Sequence, residues 1–170
     1  MGDGQTATAQ ELEEQERRLQ VTRFDNDDAW RLGCLLVDLA RERGLGVTVD
    51  IRRGPQQLFH CALPGTTADN DSWIERKIRV VLRYGASSFL VGTRHRENGT
   101  TFEAATPHLN HADYAAHGGA FPIRVRDVGV VGTVTVSGLP QAEDHALVVE
   151  GLGLFLSGDR SDTSTDAPVA

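Results

Sequence analysis

A histidine beside paired glycines, a cluster of further histidines, and a strand that runs straight into a helix start are the groups in this chain best placed for chemistry. The run Ala116-His117-Gly118-Gly119-Ala120-Phe121-Pro122-Ile123 sets an imidazole next to two residues that lack Cβ. Adjacent glycines can turn consecutive N–H groups toward one point, so the run predicts a concave anion site with a histidine at its edge. A tight entry into a strand would use the same residues. Val136-Ser137-Gly138-Leu139-Pro140 leads a strand into a helix N-terminus, whose free N–H groups suit a carboxylate or phosphate. Glu143 and Asp144 in that first turn oppose an anion and favour helix capping.

His108, His111 and His117 lie close together, with Asp113 and Tyr114 among them, and His60 adjoins Cys61 on a predicted strand. None of these spacings is HExxH, so surface histidines are expected rather than a zinc or iron centre. Asp50 and Arg52 alternate onto one strand face, where an edge-strand ion pair is expected. Ser137 has Thr135 two positions before it instead of glycine, so no nucleophile elbow is present. Gly129-x-x-Gly132 has neither dinucleotide nor P-loop spacing.

These groups must be carried by the surrounding elements. Gln10 to Gln20 predicts a polar helix with a thin apolar stripe, Leu12 and Leu19, that leans on the domain or on a partner subunit. A second helix starts at the Asp25-Asn26-Asp27-Asp28 cluster and stops at Gly44. Val47–Arg52 and Gln57–Ala62 predict a hairpin through Gly54-Pro55. A third helix starts near Asp69, carries Trp73, Ile74, Ile78, Val81 and Leu82, exposes Arg76, Arg79 and Arg83, and ends at Gly85. Ser87–Arg94 predicts a short helix, and Ala112–Ala116 a further helical turn. Phe121–Arg126 and Gly129–Val136 predict a second hairpin through Asp127-Val128. The last helix starts at Pro140 and stops at Gly158.

Short hairpin connections demand antiparallel neighbours. The fold class expected is therefore α/β in the α+β sense: one antiparallel sheet of four or five strands with helices on its faces, of profilin type. The expected organisation is a disordered N-terminus over 1–9, a single domain over 10–158, and a disordered tail over 159–170.

Charge and composition exclude several classes. Seventeen basic residues against 24 acidic ones give a net charge of −7, which opposes a nucleic-acid binder relying on phosphate neutralisation. Lys77 is the only lysine; every other basic side chain but histidine is arginine. No run approaches the roughly 20 apolar residues of a membrane span, and no signal peptide is recognisable at Met1–Gln10. Cys34 and Cys61 match no paired metal or redox spacing, so two reduced thiols in a cytoplasmic protein are expected.

Several strings then resemble the haem-degrading-domain family that includes the HbpS-like and GlcG-like proteins. They are Val47-Thr48-Val49-Asp50-Ile51, the helix from Trp73 to Tyr84, HGGAFPIRV from His117, GVVGTVTVSGLP from Gly129 and EDHALVVEGL from Glu143. The resemblance spans about Phe24 to Leu156. It looks closest to a bacterial and fungal branch marked by DIRRGPQQLFHCALPGT, DNDSWIERK and AAHGGAFPIRV. It implies an α/β/α, profilin-like fold, assembly into dimers or larger rings, and non-covalent haem b as cofactor, with haem breakdown as the reported activity.

Three readings follow from the residues and the resemblance together. The first is haem or tetrapyrrole binding, with or without degradation, with His60, His111, His117 and Tyr114 as iron donors and Arg52, Arg76 and Arg79 as propionate cations. The second is a non-enzymatic oligomeric scaffold, motivated by the polar first helix and an exposed Trp30 or Trp73. The third is a binder of a small organic acid or phosphate at Gly118-Gly119 and Gly138. No nucleic-acid or membrane partner is expected.

Overall fold

The structure, a computed structural model, describes residues 7–162, with side chains to Gly158. The termini expected to be disordered lie largely outside the described residues. Among the described residues six helices and four strands follow in the order α1 (Ala9–Arg18), α2 (Asn26–Glu42), β1 (Thr48–Arg53), β2 (Gln56–Ala62), α3 (Ala68–Tyr84), α4 (Ser88–Glu97), α5 (Phe102–Ala105), β3 (Ala120–Val125), β4 (Gly129–Ser137) and α6 (Gln141–Asp162).

Local chemistry sets most of these boundaries. Thr8, Asp25 and Thr67 each form a capping box at the start of α1, α2 and α3, with Glu11, Asp28 and Asn70 as the reciprocal partners. Each box satisfies N–H groups that the helix itself cannot, a contribution of about 1 kcal/mol. Gly85 ends α3 in the left-handed conformation, φ 63°. Two expectations fail. Residues 111–113 form a turn rather than helix, and the helical turn sits at α5, capped by the Thr101 hydroxyl and anchored by buried Phe102. The last helix also passes Gly158 and runs to Asp162.

The four strands pair antiparallel throughout, in the order β2-β1-β4-β3. β1 is thus a central strand, so the expected pair of Asp50 with Arg52 forms, but inside the sheet rather than at its edge. Alternation divides the sheet into two unlike faces. Val49, Ile51, Val134, Val136, Phe121 and Ile123 face α2 and α6 and form the main core with Leu32, Leu36, Val148 and Leu152. Thr48, Asp50, Thr133 and Thr135 occupy the alternate positions, all at 1% exposure or less. The face on the α3 side is therefore polar, and the hydroxyls of Thr48, Thr133 and Thr135 have no protein partner. A second apolar cluster joins α1, α3, α4 and α5 through Leu12, Val80, Phe89, Leu90 and Phe102. The thin stripe of α1 is thus buried within the same chain.

Candidate functional site

At one end of the sheet the exit of β4, the first turn of α6, the first half of α3 and the loop before β3 enclose a cavity of about 250 Å³. Each wall is tied to its neighbour. Asn70 accepts the Thr67 N–H at 2.9 Å and donates to the Ser137 carbonyl at 3.3 Å. Gln141 Oε1 accepts the Gly118 N–H at 3.2 Å, and Asp144 accepts the Leu139 N–H at 2.9 Å. Trp73 of α3 completes the wall.

The inner wall is an ion pair. Lys77, 3% exposed, donates from Nζ to Asp144 Oδ2 at 2.9 Å and to the Val136 carbonyl at 3.2 Å. Burial pulls the Lys77 amine below its ordinary pKa and pushes the Asp144 carboxyl up, and the mutual attraction opposes both shifts. A charged pair this deep persists because each member satisfies the other and a backbone group besides.

The glycine pair explains how the loop reaches this wall. A Cβ on Gly118 would lie 2.0 Å from the Gln141 carbonyl oxygen. Gly119 has φ +127°, and a Cβ there would lie 2.3 Å from the Val136 oxygen and 2.6 Å from Lys77 Nζ. Only a chain stripped of side chains can pass between β4 and α6 and over the lysine. The pair is thus a packing device. The Gly118 N–H is given to Gln141 and so is not free for the anion expected at these glycines.

His117 stands where this cavity meets a second one of about 150 Å³, lined by Arg96, Phe102 and Glu103. Its ring lies 5.2 Å from that of Trp73, tilted by 45°. Among the described residues neither ring nitrogen has a hydrogen-bond partner. The residue is exposed, yet packing against one side of the imidazole lowers its pKa; Glu103 opposes this, and Lys77, Arg76 and Arg96 add to it. His117 is therefore a neutral donor at neutral pH.

With the geometry in view, comparison with known proteins decides the family. The model for "Haem degrading protein HbpS-like" matches residues 24–153. The chain belongs to the HbpS-like family. Among its relatives, a UPF0303 protein of Streptomyces coelicolor is 64% identical over 149 residues, 88% of this chain and 94% of that one. A UPF0303 protein of Edwardsiella ictaluri is 50% identical over 145 residues, 85% and 92% of the two chains. The crystal structure of the Ybr137w protein superposes with a TM-score of 0.83 at 32% identity, covering 92% of this chain and 91% of that one. A PduOC:heme complex shares the fold, with a TM-score of 0.64 at 15% identity over 76% and 93% of the two chains. The profilin-type antiparallel sandwich expected from the sequence is thus the fold of this HbpS-like chain.

The other sequence-predicted residues are spread over the molecule. Arg76 stacks over Trp73, 4.4 Å from the ring centroid, and donates to the His111 carbonyl at 3.0 Å. Arg79 donates to the Asp113 carbonyl at 3.2 Å, so the two arginines pin the 111–113 turn to α3. His111 engages the Thr106 carbonyl through Nε2 at 3.0 Å and lies against Phe102. Tyr114 packs on the second cluster with the Arg83 guanidinium 5.9 Å from its ring. His60 pairs with Asp71 at 2.7 Å on the outer strand β2, and Arg52 pairs with Asp50 at 2.9 Å and with Glu75. The fold brings His117, Gly118, Gly119 and Arg76 to one place and leaves His60, His111, Tyr114, Arg52 and Arg79 outside it.

Lys77, Asn70, Gln141 and Asp144 were not singled out by sequence as site residues. One signal was legible: the only lysine falls between Ile74, Ile78 and Val81 on the apolar stripe of α3, where a cation must be buried and paired.

Proposed function

We propose that this HbpS-like chain binds haem non-covalently, with His117 as the iron donor. The carrying observation is a neutral imidazole, unpartnered at both ring nitrogens among the described residues, on the ridge between two cavities. His60 and His111 already engage Nε2.

The residues fit the group in kind. Trp73 and Phe102 offer aromatic walls on either side of His117, and Arg76 and Arg96 offer cations for the propionates. The fit in size is to an open face. Cavities of about 250 and 150 Å³ fall below the roughly 300–1,000 Å³ of a pocket that encloses a drug-sized ligand, and haem is larger still. The porphyrin would lie across the ridge, and a second copy of the chain would cover its outer side. Bound haem would supply a redox-active iron, and degradation would further require an open iron position for oxygen. The protein's part is to keep the His117 imidazole unprotonated and to set the cations around it.

Titration of the haem-free protein with hemin tests the reading. A saturable Soret shift at one equivalent per chain is expected, lost in His117→Ala and retained in His60→Ala and His111→Ala. No shift, or an unchanged shift in His117→Ala, would overturn it.

A further inference from the structure

We propose that the cavity walled by Lys77 and Asp144 is a binding site for a small uncharged polyol, in the size range from triose to hexose. The site does not depend on haem, because its walls are chain groups on the inner side of His117.

Charge selects the class. Within the lining Lys77 and Asp144 cancel one another and the Asp69 carboxylate at the rim leaves it net negative, while Arg76 and Arg96 lie outside it beside the outer face of His117. Phosphate or a dicarboxylate would enter against that charge. A free amine would meet the Lys77 ammonium at the inner wall.

Hydrogen-bonding capacity then selects hydroxyls. The Lys77 ammonium carries three N–H groups, and the protein supplies acceptors for two, Asp144 and the Val136 carbonyl. The Gln141 amide nitrogen has no partner among the described residues, since Gln141 engages only its oxygen. An acceptor belongs to the same lining, the Asp69 carboxylate. A lining that both donates and accepts over a few ångströms matches groups that do both, which hydroxyls do and carboxylates do not. A buried ammonium left one partner short also strengthens the bond to any hydroxyl that meets it.

Size agrees. A volume of about 250 Å³ equals about eight waters at ~30 Å³ each, the space of one small polyol. The polar floor extends further under α3, where Ser137 faces Thr48, whose buried hydroxyl also lacks a protein partner.

The chain has two tryptophans, Trp30 and Trp73, so Trp30→Phe leaves Trp73 as a single reporter in the cavity wall. In that background, glycerol, xylitol and glucose are titrated against haem-free protein, with phosphate, malonate and ethanolamine at matched ionic strength. Saturation is the criterion, because excluded osmolytes stabilise any protein without saturating. At least one polyol should give a saturable change in Trp73 emission with half-saturation near about 1 mM, and the ions none. Gln141→Met should weaken it by up to about tenfold, and the double variant Lys77→Met/Asp144→Leu should abolish it. The inference fails if all ligands are flat, if phosphate, malonate or ethanolamine saturates instead, or if the response survives both variants. Hemin binding by the same Trp30→Phe protein, read at the Soret band, shows separately whether the haem reading stands.

Discussion

His145 is the most informative group to perturb, because burial alone sets its behaviour. It lies on α6 at 4% exposure, its ring 4.8 Å from that of Phe89 and 5.9 Å from that of Phe121. Nε2 meets Gln15 Oε1 of α1 at 2.7 Å, and Nδ1 is buried without a partner. Desolvation disfavours the imidazolium and lowers the pKa from 6.5 to about 4. The unfolded chain takes up a proton near pH 6.5, whereas the folded chain resists it until about pH 4. Stability is therefore full above 6.5 and falls as the pH drops toward 4, with no further loss below. The gap of about 2.5 units corresponds to about 3 kcal/mol, or a fall in Tm of roughly 6–12 °C for a domain of this size. Buried Glu16 and Asp144, whose carboxyls are pushed up by burial, gain stability over the same range and mask part of the effect. The assay is therefore a difference. Urea unfolding of the wild type and of His145→Gln, which keeps an amide donor toward Gln15, is measured at pH 7, 5.5 and 4.5. The wild type should lose about 2 kcal/mol relative to the variant across that range, most of the full effect. Parallel curves for the two proteins would refute the assignment.

The remaining predictions concern the buried pair and the outer face of α2. Lys77→Met or Asp144→Leu alone should cost about 3–5 kcal/mol in urea unfolding by stranding a buried charge, whereas the double variant should recover most of that loss. Additive losses would show that the two groups are not coupled. Trp30 is 63% exposed beside a groove of about 490 Å³ lined by Cys34, Leu35 and Leu39. If this face carries homo-oligomer assembly, light scattering at micromolar concentration shows a mass above 18.4 kDa, returning to the monomer in Trp30→Glu. A monomeric wild type would remove the scaffold reading.

Elements with local signals were legible along the chain. Asp25 with Asp28, and Gly85 at the end of α3, place helix ends through contacts within three or four residues. The two hairpins are visible because turn residues interrupt β-branched runs, and short turns admit only antiparallel neighbours. The α5 turn was missed, because its capping Thr101 and single buried Phe102 are too little pattern to separate it from a loop. The C-terminal stop was misplaced, because one glycine costs a helix only about 1 kcal/mol and does not by itself end it.

The candidate site divides in the same way. The HGG run marked a place where backbone must come close to something, and that much follows from the absence of Cβ. What it comes close to, a lysine 42 positions earlier and a carboxylate 25 positions later, follows from β4 lying between β1 and β3. Side-chain periodicity declares which face of an element is buried. It does not declare which distant element covers that face, so the His117 ridge and the Lys77–Asp144 wall come into being only when the sheet is assembled.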